Sequence, residues 1–169
     1  TSSGKAITIP GQDFLVSLGG FDSTTIQEEA GTFMHELGHT LGLWHGGGDI
    51  KQAKPNYRSV MNYLWQMPPR LTSICALASN EPLRKYIDSW KLDYSSQVLP
   101  TLYESSLSEP AGIGGSSSIF VPVGPPQMGP KYTDIVPMGG PVNWDRTGDR
   151  DNPSVRADAN FVPDCVGIN

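Results

Sequence analysis

The chain has 169 residues, which suits one globular domain or one lobe of a larger one. Its 19 glycines and 15 prolines are about a fifth of the residues and only 17% are charged, which excludes a coiled coil, and 37% hydrophobic residues is too many for wholesale disorder. No apolar run nears the roughly 18 residues of a membrane-spanning helix, and a net charge of −5 argues against a nucleic-acid or anionic-membrane partner.

Residues 1–11 read as an irregular approach punctuated by Gly4, Pro10 and Gly11. Phe14 to Leu18 alternate as a short strand, with Phe14, Val16 and Leu18 on one face, and Gly19-Gly20 end it. Thr25 and Glu28 have the spacing of a capping box, which predicts a helix from about Ile26 to about Leu41. Gly42 sits where a left-handed turn would close that helix. Residues 43–60 read as loop, and Ser59 to Trp65 as a compact, partly apolar segment. Asn80-Glu81-Pro82 predicts a second helix start, with Leu83, Ile87 and Trp90 on one face. From Glu109 to Pro141 the chain is rich in Gly, Pro and Ser and shows little periodicity.

Chemistry concentrates in the helix. His35 and His39 are four residues apart, so both imidazoles lie on one face and reach a single ion. Glu36 is adjacent but rotated around the helix, so its carboxylate can meet a water at the metal without ligating the metal itself. Gly42 permits a sharp turn, which returns His45 as a third ligand. Three neutral imidazoles leave a fourth position for water, the arrangement of a catalytic zinc site rather than a structural one. All three histidines of the chain fall between residues 35 and 45.

This segment resembles the extended zinc signature of the metzincin metalloendopeptidases, His-Glu-x-x-His-x-x-Gly-x-x-His, over residues 35–45. Ser59-Val60-Met61-Asn62-Tyr63 resembles the Met-turn of the same clan, and the two motifs together span 29 of the 169 residues. The resemblance implies an α+β zinc-peptidase domain in which Met61 forms an apolar floor beneath the metal. It implies that Glu36 is the general base and that Tyr63 assists the oxyanion, as in astacin-like, serralysin-like and pappalysin-like members, a pappalysin-like or related bacterial group being the nearest expected. It further implies an extended peptide or protein substrate paired with the strand before the zinc helix, Asp13 to Gly19, so that Phe14, Val16 and Leu18 border the substrate. Leu64, Trp65, Met67 and Pro68 are expected to wall the pocket beyond the scissile bond. Packing roles are the plain alternatives for Met61 and Tyr63.

Metzincin domains place several strands and a backing helix before the zinc helix, whereas only 34 residues precede His35 here. The expectation is a fragment or processed chain lacking an N-terminal segment, with a truncated small mixed sheet or an exposed apolar face on the zinc helix. Residues 1–107 are expected to hold the catalytic region, and 108–169 a C-terminal extension packed on the same domain.

Asn143, Asp145, Thr147, Asp149 and Asp151 carry oxygen side chains at alternate positions with a glycine at 148, a partial match to a calcium loop. The alternative is a solvated acidic turn neutralised by Arg146, Arg150 and Arg156. Cys75 and Cys165 either form one bridge closing a loop of about 90 residues or stay as two buried thiols. A secreted zinc-dependent endopeptidase is the reading these features favour. The alternatives are a catalytically silent zinc-binding module that recruits a protein partner, and a calcium-dependent adhesion module.

Overall fold

A computed structural model describes residues 3–21, 24–68, 81–123 and 134–160. Cys75 and Cys165 lie outside them, as does Asn80. The architecture is a small α+β arrangement with two helices and two antiparallel two-stranded sheets among the described residues. In chain order the elements are β1 (Gly4–Ala6), β2 (Phe14–Val16), α1 (Ile26–Thr40), α2 (Glu81–Ser89), β3 (Phe120–Val123) and β4 (Asp134–Pro137). No helix is long and apolar enough to cross a membrane among the described residues.

Local chemistry sets both ends of α1. Thr25 is extended and accepts from the Glu28 amide, while the Glu28 carboxylate accepts from the Thr25 amide at 2.8 Å, so both halves of the capping box are made. At the other end Gly42 has φ +94°. Its amide donates to His39 at 2.9 Å and the Leu43 amide donates to Gly38 at 2.9 Å, a complete Schellman closure.

The burial of α1 runs against its apolar pattern. Its buried residues are Glu28, Gly31, Thr32, His35, Glu36, Gly38 and His39. Ile26 and Phe33 are 81% and 51% exposed on another side. The buried face is thus made of polar and small side chains, and it meets the segment of residues 61–67. A β-carbon on Gly31 would stand 2.0 Å from the Gln66 carbonyl oxygen, and one on Gly38 would stand 2.2 Å from the Met61 sulfur. Two glycines seven residues apart therefore let that segment lie directly on the helix.

Two regions expected to be irregular contain strands. Gly4–Ala6 pairs with Phe14–Val16 in register Lys5↔Leu15, so the N-terminal approach is half of a hairpin. Val121 and Val136 are opposed in β3 and β4, both buried. The pattern was hard to see because Pro122 interrupts β3 and each strand has only four residues. The helix expected at Pro82 is present, and it buries Tyr86 as well as Leu83.

One apolar cluster joins Leu64 and Trp65 to Leu83 and Tyr86 of α2, Val121, Val136 and Met138 of the second sheet, and Trp144 and Val155 beyond it. The Tyr86 hydroxyl donates to the Leu64 carbonyl at 2.6 Å. Leu107 and Val155 exchange main-chain hydrogen bonds at 2.7 Å each way, which ties the C-terminal segment to the same core. Thr25→Ala should remove the cap of α1 and destabilise the fold by about 1 kcal/mol, read as a lowered unfolding midpoint in denaturant.

Candidate metal centre

The ring orientations of His35 and His39 follow from two main-chain carbonyls. His35 Nδ1 lies 2.7 Å from the Val60 oxygen and His39 Nδ1 lies 2.7 Å from the Leu43 oxygen. A carbonyl can only accept, so each Nδ1 carries its hydrogen and each Nε2 presents a lone pair. Those two Nε2 atoms face each other at 3.1 Å. Two lone pairs repel at that distance unless a positive centre lies between them. A proton is a poor candidate, because burial and the neighbouring imidazoles lower the His35 pKa to about 3.

His45 completes the group. The Schellman turn reverses the chain after α1, and Trp44 and Gly47 then exchange hydrogen bonds at 2.8 Å, so His45 stands at the tip of a tight turn. Its ring centroid is 5.2 Å from that of His35 and 4.9 Å from that of His39. One nitrogen from each of the three rings falls within 4.8 Å of the others. His35 and His39 are buried and His45 is half-buried; burial also lowers the His45 pKa, to about 4. Three nitrogen donors that converge in this way can hold a metal ion.

Glu36 is 4% exposed and lies under β1. The residues flanking the two strands are hydrogen-bonded, the Ile7 amide donating to Asp13 at 3.1 Å and the Ser17 amide to Ser3 at 2.8 Å, with Lys5 opposite Leu15 between them. In an antiparallel pair the residues between, Gly4 and Ala6, direct their main-chain groups the other way. The Ala6 amide accordingly donates to the Glu36 carboxylate. A β-carbon on Gly4 would stand 2.6 Å from Glu36 Oε1, so any larger residue would displace the carboxylate from this position. Burial raises the Glu36 pKa and the Ala6 hydrogen bond partly opposes it.

Tyr63 closes another side. Its ring centroid is 4.5 Å from that of His45 and 5.6 Å from that of His35. Burial and the nearby Glu36 charge raise its pKa, so its hydroxyl keeps its proton at neutral pH. Met61 has no exposed surface and sits against Gly38 of α1. The turn that carries it is held by the Asn62 amide donating to Ser59 at 2.9 Å, and by the Asn62 side chain donating to the Lys54 and Tyr57 carbonyls at 2.7 Å each.

Two groups of expected site residues are elsewhere. Trp65 is 1% exposed, packed edge-on against Tyr86 at 5.3 Å with the Arg58 guanidinium over its ring. It is a core residue, because the chain turns inward after Tyr63 and Leu64 and Trp65 join the apolar cluster. Phe14 rests edge-on against Phe33 at 5.2 Å. Val16 and Leu18 line a shallow apolar groove of about 570 Å³ with Ile26, Ala30, Phe33 and Met34. These three residues therefore face the outer side of α1, and the strand that borders Glu36 is β1, not β2. A three-residue strand containing glycine carries too weak an alternation to be read from sequence.

In the C-terminal acidic segment, carboxylate oxygens of Asp145 and Asp149 gather with Glu109 within 4.8 Å of one another. Thr147 bridges the two aspartates, donating to Asp145 at 2.7 Å and lying 2.9 Å from Asp149. Asp151 does not join that trio, and the Asn143 side-chain oxygen is buried without a hydrogen-bond partner. Glu109 has no exposed surface and accepts from the Asp145 and Asn152 amides at 3.2 Å each. It escaped the sequence reading because it stands 36 residues before Asp145.

No family model, curated protein or solved structure matches the chain. Gly38→Ala tests the packing beneath the histidines. Alanine is the better helix former by about 1 kcal/mol, but its β-carbon would stand 2.2 Å from the sulfur of the fully buried Met61. The expected outcome is a net loss of about 1–3 kcal/mol by chemical denaturation, whereas Gly48→Ala, with open space around its β-carbon, should change stability by less than about 0.5 kcal/mol.

Proposed function

We propose that this chain is a metzincin-like, zinc-dependent endopeptidase. The observation that carries the reading is the convergence of His35, His39 and His45 beside a buried carboxylate that does not belong to the trio. The 3.1 Å between two of the donor nitrogens is close to the edge of about 3.3 Å expected for a tetrahedron with zinc–nitrogen bonds of 2.0–2.1 Å. The donor set is all imidazole, which suits zinc and leaves a coordination position for water. The signature over residues 35–45 and the Met-turn at 59–63 support the same reading.

Zinc at such a site supplies Lewis acidity, polarising a peptide carbonyl and acidifying a water. Glu36 acts as the general base that takes the proton of the attacking water and delivers it to the departing amine. Its raised pKa suits both halves of that transfer. The Ala6 amide steadies the ionised carboxylate. Tyr63, still protonated, offers its hydroxyl to the oxygen on which negative charge develops. The substrate class this reading implies is an extended protein or peptide chain. No other imidazole exists in the chain to activate a serine, so acyl-enzyme chemistry through Ser59 is not supported.

Casein hydrolysis by the purified protein should be abolished by 1,10-phenanthroline and restored by zinc. Protein that holds the metal yet cleaves nothing would point instead to a silent module that recruits a partner. Glu36→Gln, which keeps an acceptor for the Ala6 amide, should keep metal and fold but lose about 10²–10⁴-fold in kcat, and wild-type turnover by that variant would overturn the mechanism. Tyr63→Phe should cost about 10²-fold or less, as one oxyanion donor does; an unchanged rate would leave Tyr63 a packing residue only.

A further inference from the structure

The three imidazoles are not secured alike. His35 and His39 sit on a helix and donate to main-chain carbonyls. His45 sits at a turn tip, and its Nδ1 lies 3.3 Å from the side-chain amide nitrogen of Gln52. We infer that Gln52 is the positioning residue of the third metal ligand, a role that rests on the zinc reading above.

With Nδ1 turned to Gln52, Nε2 is the nitrogen left for the ion. Nε2 coordination requires the hydrogen on Nδ1, and that N–H needs an acceptor. A glutamine amide can meet the requirement by presenting Oε1, since a half-turn about its last bond exchanges its oxygen and nitrogen. The loop that carries Gln52 is built to hold it at this place. The Gly46 amide donates to Asp49 at 2.9 Å, and the Lys54 ammonium pairs with the Asp49 carboxylate at 2.6 Å. Ala53, next to Gln52, is 1% exposed and has φ +53°. A left-handed alanine is costly, and it persists only where the surroundings over-determine it. Here the buried methyl anchors the strained residue while its neighbour stays at the surface beside His45. Among the described residues, Gln52 is also the one partner of the three Nδ1 atoms that is a side chain and so can be removed by substitution.

The experiment compares the zinc affinity of wild type, Gln52→Leu and Gln52→Glu, each titrated against a chromophoric chelator. Melting of each protein in EDTA serves as the control for folding. Leucine has similar bulk and no acceptor, so affinity should fall about 10–100-fold with an unchanged melting temperature in EDTA. Glutamate accepts from Nδ1–H and should restore affinity to the wild-type level or above. Wild-type affinity in the leucine variant, or equal weakness in both variants, overturns the positioning role. A wild-type protein that takes up no zinc overturns the zinc reading itself, and with it the role built on it.

Discussion

Two hydrogen bonds from imidazole to backbone organise the candidate centre. Because the Val60 and Leu43 oxygens can only accept, His35 and His39 are held in one tautomer with their remaining nitrogens aimed at each other. The same two bonds place demands on distant parts of the chain. Leu43 must stand just beyond the end of the helix, which the glycine turn achieves. Val60 must be brought against the helix from 25 residues away, which requires the Met61 turn to lie flat on α1. Val60 is itself held from behind, since its amide donates to the Asp93 carbonyl at 2.9 Å.

That arrangement explains why α1 buries the polar side of an amphipathic sequence. The helix face that meets residues 61–67 carries His35 and two glycines, Gly31 and Gly38, so the contact is close and poor in apolar area. Apolar burial comes from the cluster built around Trp65, Tyr86, Ile113, Val121 and Val136. The Met61 turn is the join between the two regions: its first residues touch the helix and the next ones, Leu64 and Trp65, enter the cluster. Stability of the C-terminal half is thereby coupled to the placement of the centre, because Leu107, Ile113, Val136, Trp144 and Val155 belong to the same apolar cluster as Leu64 and Trp65.

The strand over Glu36 adds a further constraint. A hairpin of three-residue strands is marginal by itself. This one is secured on the helix by Phe14 against Phe33, by the Ala6 amide on Glu36, and by the Gln66 side chain donating to Ser3 at 3.2 Å. The carboxylate thus has a structural task, anchoring β1, alongside the chemical one proposed for it.

What sequence alone determined was the helix ends and the helix face, which are set by contacts three or four residues apart. The capping box at Thr25 and Glu28, the left-handed turn at Gly42, the common face of His35 and His39, and the start of α2 at Glu81 and Pro82 depend on local hydrogen bonds or helical periodicity. Their spacing can be read without knowing the rest of the chain. Tertiary structure decided what depends on long-range approach. It chose β1 rather than β2 as the neighbour of Glu36, sent Trp65 into the core, turned Phe14, Val16 and Leu18 to the far side of α1, brought Glu109 to Asp145, and set Gln52 beside His45. No periodic pattern encodes these juxtapositions, because each arises from the fit of whole elements against one another, and glycines at 4, 31 and 38 announce only that something comes close, not what it is.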